Sequence, residues 1–117
     1  MMPMVNKQQK QEIEMKAILI DVGIPAIREV ELTSNDDIYA MLECRLFETR
    51  EIASNLLLTD EEAYLKPRPP ERFFRIAGRP VKQPGNGLIV GFDGPGFCDY
   101  RPIENLKVEF FTPENEA

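Results

Sequence analysis

Hydrophobic positions along this chain come in short bursts, and their spacing changes between them. "AILI", Ala17 to Ile20, is a continuous apolar run closed by Asp21, Gly23 and Pro25, as a buried strand would be. "IREVEL", Ile27 to Leu32, comes next across a loop short enough for a hairpin. Its Val30 and Leu32 oppose Glu29 and Glu31, the alternation of a strand with one wet face. In "TSNDDIYAMLE" the period changes. Ser34 stands at a cap position, Asp36 and Asp37 fall in the first turn, and Ile38, Met41 and Leu42 make the inward stripe of a helix. Strands are expected again over Leu46 to Ile52 and Leu56 to Leu58, with Asp60, Glu61 and Glu62 opening a single helical turn. Leu106, Val108 and Phe110 alternate with Lys107 and Glu109, predicting a half-buried strand near the end of the chain.

Two stretches between these elements are less direct. Pro69 and Pro70 suit the start of a helix and Gly78 its exit. Placing "ERFFRIAG" at 100° steps puts Phe73, Phe74, Ile76 and Ala77 on one arc, with Arg72 and Arg75 opposite and Glu71 four residues before Arg75. The second stretch, "QPGNGLIVGFDGPGFC" (Gln83 to Cys98), holds five of the seven glycines. It fits neither phosphate-binding pattern, since no glycine precedes a lysine and Gly85, Gly87 and Gly91 are spaced one residue too long for a dinucleotide fingerprint. Directly after Gly87 the chain reads "LIVGF", a strand rather than the helix whose amides would hold a pyrophosphate. The glycines are therefore assigned to two turns, "PGNG" with a hairpin-type Asn86-Gly87, and "DGPG".

Together these elements predict an α+β fold, a largely antiparallel or mixed sheet with two or three short helices. The length of 117 residues suits a single domain over 15–112, preceded by a mobile tail over 1–14 and succeeded by a frayed end over 113–117. No apolar run approaches the roughly 18 to 20 residues that span a bilayer, and the N-terminus lacks the apolar core of a secretory signal. Two cysteines, Cys44 and Cys98, are too few for a disulfide framework and are expected as reduced thiols in a cytoplasmic protein.

Composition then narrows the chemistry. The chain contains no histidine, which removes the usual general base of a hydrolase and the commonest zinc ligand. No Cys-x-x-Cys spacing is present, and no metal or cofactor is expected. Carboxylates are abundant, and Asp93 and Asp99 are the acids that a magnesium-dependent hydrolase would use, but neither has a spacing that demands catalysis. Net charge is −6, unlike that of a protein that coats nucleic acid by charge alone. The distribution is uneven. Six basic residues between Lys66 and Lys82 face one acid, Glu71, so that segment is +5 and the remainder −11. Arg68, Arg72, Arg75, Arg79 and Lys82 are the candidate anion- or partner-binding residues, arginine being suited to bidentate contact with phosphate or carboxylate. The competing reading is solvated surface charge, partly paired with the surplus acids.

The stretch "LLLTDEEAYLKPRPPERFFRIAGRPVKQPGNGLIVGFDGPG", together with "KAILIDVGIPAIREVEL" and "DIYAMLECRLFETREI", resembles a family of small domains of unknown function found in bacteria, their phages and plasmids. The similarity covers roughly residues 16–100. Where the family pattern often carries asparagine near the start of the short helix, this chain has Glu71. The resemblance implies a mobile-element or host-accessory setting and no activity. The leading expectation is a non-catalytic accessory protein that binds a protein partner. The alternative is a nucleic-acid or nucleotide-binding module using residues 66–82.

Overall fold

The computed structural model describes residues 14–114. Of the expected tail, residues 1–13 lie outside the described range, as do residues 115–117 of the expected frayed end. Nine strands, one α-helix and one 3-10 turn make up the described chain. They run in the order β1 (Met15–Asp21), β2 (Ala26–Leu32), α1 (Asn35–Leu42), β3 (Phe47–Ile52), β4 (Asn55–Asp60), the 3-10 turn Ala63–Leu65, β5 (Phe73–Ile76), β6 (Gln83–Pro84), β7 (Gly87–Asp93), β8 (Gly96–Cys98) and β9 (Val108–Phe111). The expected α+β class with two or three helices is therefore corrected: the protein is mostly β, in two antiparallel sheets.

The larger sheet has the order β2-β1-β7-β4-β3, with β8 folding back on the far end of β7. The smaller one has the order β6-β5-β9. Side-chain alternation sorts the core between the two faces of the large sheet. Ala17 and Leu19 of β1, Leu58 of β4, and Leu88 and Val90 of β7 pack in one cluster with Ile38 and Leu42 of α1. The intervening residues, Ile20, Leu57 and Ile89, pack in a second cluster with Phe74 and Ile76 of β5, joined by Val108 and Phe110 of β9. Helix α1 thus covers one face and the small sheet the other. With both faces closed, Gly87 to Gly91 on β7 is wholly buried, which accounts for its unalternating apolar sequence.

The segment assigned to a helix at Glu71 to Gly78 is a strand, and its period decides why. Phe74 and Ile76 are buried while Phe73 and Arg75 are half-buried, a repeat of two in a stretch too short and too rich in Phe and Ile to hold a helix on its own. The i, i+4 pair of Glu71 and Arg75 does not form. Arg75 Nε bonds Glu109 Oε1 at 2.8 Å instead, across the β5–β9 ladder that sets these two residues opposite each other. The turn assigned to Asn86-Gly87 moves as well. Gly85 carries the positive φ, +79°, and Gly87 already lies in the strand.

Gly87 is needed there for space. A Cβ at this position would come within 2.5 Å of Phe74 Cζ and 2.9 Å of Cε1, so the fully buried Phe74 ring lies against bare backbone. Gly87→Ala is expected to destabilise the protein by about 1–3 kcal/mol through overpacking. Gly96→Ala, whose Cβ would meet nothing closer than 3.8 Å, should cost less than about 0.5 kcal/mol. Urea denaturation of both variants checks the contrast.

Helix α1 starts at Ser34 as the sequence indicates, but the side chain that secures the start is Asp37. Its Oδ2 accepts the Thr33 N–H at 2.7 Å and the Thr33 hydroxyl at 3.0 Å, and these bonds hold the Asp37 carboxyl below its ordinary value of 3.8. Because the folded value is depressed, this stabilisation is present above the unfolded value and lost as pH falls through the folded one. The Tm difference between the wild type and Asp37→Asn should therefore be largest above about pH 5 and close as the pH is lowered below about 3.

Candidate functional site

The helix and the 3-10 turn frame an open groove of about 750 Å³. Helix α1 ends at Glu43 in the left-handed region (φ 53°), and the Cys44 N–H bonds back to the Tyr39 carbonyl at 3.1 Å. That turn brings Tyr39, Cys44 and Arg45 to one wall of the groove. Opposite stands the 3-10 turn, where Ala63 is buried against the body and so leaves Tyr64 and Leu65 outward. Leu65 lines the groove with Lys66 and Pro67. Tyr64 is 68% exposed and Leu65 78%. With Tyr39 and Leu46, they are four of the seven large hydrophobic residues that the described surface exposes. The Arg45–Glu62 pair, at 3.1 Å, closes one side.

A second, smaller concavity of about 270 Å³ lies between the β1–β2 turn and the segment before β5. Asp60 is buried in its wall. Its Oδ2 takes the Lys66 ammonium at 2.7 Å and its Oδ1 accepts the Glu62 N–H at 2.9 Å, while Lys66 also donates to the Glu43 carbonyl at 2.8 Å. Asn86 closes the floor. It accepts the Val22 N–H and donates to the Met41 carbonyl, both at 2.9 Å, so one side chain joins β1 to the end of α1. A third hollow, about 160 Å³, lies where Arg79 reaches the small sheet.

The five candidate basic residues are distributed among these places. Arg68 and Arg72 line the second concavity. Arg72 also grips Glu114 with both guanidinium nitrogens, at 3.1 and 2.8 Å, and that contact lowers the Glu114 pKa. Arg79 borders the third hollow and donates to the Glu51 carbonyl at 3.0 Å. Arg75 and Lys82 stand elsewhere again, over the ring of Phe111 at 5.2 and 4.0 Å from its centroid. The one stretch of positive charge in the sequence is thus dispersed: Arg75 alone lies in a strand, and Arg68, Arg72, Arg79 and Lys82 stand on the segments before and after it.

The helical arc assigned both Phe73 and Phe74 to the core, whereas Phe73 is half-buried. A period of two across "FFRI" would have separated them. Asp99, weighed as a metal ligand, commits Oδ1 to the Lys16 N–H at 2.9 Å. Among the described residues, no three Cys, Asp or Glu side chains converge as a metal-binding group, and no helix is long and apolar enough to cross a membrane. Comparison of the chain with protein-family models, curated proteins and solved structures gives no match.

Cys44 and Cys98 are both free thiols. Burial pushes the Cys44 thiol above its ordinary value of 9.0, with the Asp60 charge acting in the same direction and Lys66 against it. A thiol held in its protonated form is a poor nucleophile. Iodoacetamide at pH 8 should therefore label Cys44 of the folded protein several-fold more slowly than Cys44 of the urea-unfolded chain, as read by peptide mass mapping; equal rates would contradict this placement.

Proposed function

We propose that the chain is a non-catalytic accessory protein that binds a protein partner, and that the groove between α1 and the 3-10 turn is where the partner docks. The observation that carries the reading is a groove lined by Tyr39 and Leu65, with the exposed Leu46 and Tyr64 next in sequence to its lining residues Arg45 and Leu65. A protein surface that concentrates exposed apolar side chains in this way marks an interaction site more often than chance exposure does. Aromatic residues suit such a place because they bury a large area with few rotamers to fix.

The charge of the molecule indicates the kind of partner. Outside Lys66–Lys82 the chain carries −11, whereas the groove lining itself balances Glu43 and Glu62 against Arg45 and Lys66, so the surplus of acid lies in the surface beyond it. A partner segment with apolar anchors flanked by lysine or arginine is complementary, and the electrostatic attraction would act chiefly on its rate of arrival. The mobile-element or host-accessory setting implied by the family resemblance belongs to the same proposal, since proteins of that kind act on a component of the host.

The test compares baits. Wild type and the double variant Tyr64→Ser, Leu65→Glu are used to capture proteins from a host lysate, and the recovered component is then titrated in purified form. Both side chains are mostly solvent-exposed, so the variant should keep its Tm within a few degrees. The expected result is a basic protein bound by wild type and bound at least about tenfold more weakly by the variant, the loss produced when an interface anchor is removed. Equal binding by both baits would remove the groove from the interface.

A further inference from the structure

We infer that the outer face of the small sheet is a second binding site, for the bases of single-stranded nucleic acid. Strands β5 and β9 turn Phe74, Ile76, Val108 and Phe110 inward to the core, so the alternate residues face solvent. The register sets Phe73 directly opposite Phe111 and Arg75 opposite Glu109. Lys107 is exposed one step before β9, where its carbonyl accepts the Ala77 N–H at 2.9 Å and so continues the ladder. Two half-buried phenylalanines therefore share one side of a sheet with Arg75, Lys82 and Lys107. Here Arg75 pairs with Glu109, and beside it Arg72 pairs with Glu114; Lys82 and Lys107 add two further cations in a chain whose net charge is −6.

These are the two parts that single-strand recognition requires. Aromatic rings take unstacked bases face to face, and neighbouring cations take the phosphates between them. Facing residues on adjacent strands have Cβ atoms about 4.5–5.5 Å apart, which lets successive bases be held by Phe73 and Phe111. The geometry around Phe111 already shows that its ring attracts flat or compact cations, with the Arg75 guanidinium 5.2 Å and the Lys82 ammonium 4.0 Å from its centroid. A base takes the ammonium's place on the ring and the lysine turns to the adjoining phosphate. A duplex offers no base faces to such a surface, so the ligand is a single strand, with two or three nucleotides in contact. This deepens the nucleic-acid reading of residues 66–82 and moves it from the whole basic segment to Arg75 and Lys82, with Phe73, Phe111 and Lys107 added from outside the reading.

The experiment is fluorescence anisotropy of a labelled oligouridylate and an oligothymidylate with the full chain at low salt. Binding is expected to both, with log K falling against log salt at a slope of about −1.4 to −2.1, as neutralising two or three single-strand phosphates gives. Phe111→Leu and Phe73→Leu should each weaken binding roughly fivefold to a hundredfold through lost stacking. The surface double variant Lys82→Gln, Lys107→Gln keeps the core intact, so it tests the face even if the phenylalanine variants fold poorly; it should weaken binding and flatten the salt slope. Tyr64→Ser, Leu65→Glu should bind the oligonucleotides as wild type does, which separates this face from the groove. The inference is overturned if no oligonucleotide binds at low salt, if a duplex binds as tightly, if polyglutamate of matched charge competes as well as the unlabelled strand, or if the Lys82 and Lys107 substitutions leave affinity and salt slope unchanged.

Discussion

The ring of Phe74 against the bare backbone of Gly87 is the contact on which the architecture turns. Strand β7 is the middle of the large sheet, paired to β1 on one side and β4 on the other. Its odd and even residues supply both hydrophobic clusters, Leu88 and Val90 beneath the helix, Ile89 beneath the small sheet. A side chain at position 87 would hold the small sheet away from this strand. With none there, β5 descends onto it and the second cluster closes. Burial of side chains such as Phe74 and Ile89, each worth about 1.5–3 kcal/mol, is what offsets the ordering of the two long connections that flank β5.

Closing both faces of the large sheet determines what is left for binding. The inward residues of β5 and β9 are committed to the core, so their partners, Phe73, Arg75, Glu109 and Phe111, must face outward. Helix α1 is committed along Ile38 and Leu42, so Tyr39 is left at its edge, where the chain reverses at Glu43 and the 3-10 turn brings Leu65 to the same groove. Arg72, through Glu114 and the Val22 carbonyl, and Arg101, through the Ser54 and Phe92 carbonyls, join segments distant in sequence. The two candidate surfaces therefore lie on opposite layers of the molecule.

Much of this was legible from the hydrophobic spacing. The β1–β2 hairpin, helix α1 with its stripe of Ile38 and Leu42, the strand after Gly87 and the half-buried strand near Phe111 all stand where alternation and period place them. The region from Pro69 to Gly78 was misassigned, because prolines before and a glycine after are helix punctuation, while four residues such as "FFRI" fit either period. Tertiary pairing with β9, more than thirty residues later, decided the matter. The β3–β4 hairpin turns through Ala53 and Ser54 at positive φ (49° and 65°), a conformation that neither residue type announces. The role of Asn86 was hidden for a related reason: its bonds go to Val22 and Met41, distant in sequence, and nothing local distinguishes a tethering asparagine from a turn asparagine. The candidate site was legible only as charge. The sequence shows how many arginines lie in one stretch, but where each one comes to lie depends on how the segments on either side of β5 run.

If the small sheet is held by its contact with β7, the two sheets form one cooperative unit and cannot open separately. Native-state hydrogen exchange measures this directly, by comparing the opening free energies of the Phe74 and Ile76 amides with those of Leu88, Ile89 and Val90 across a denaturant series. Both sets are expected to converge on the same, global value. Exchange of the Phe74 and Ile76 amides through a much lower, separate opening, while β7 stays protected, would contradict a single cooperative unit.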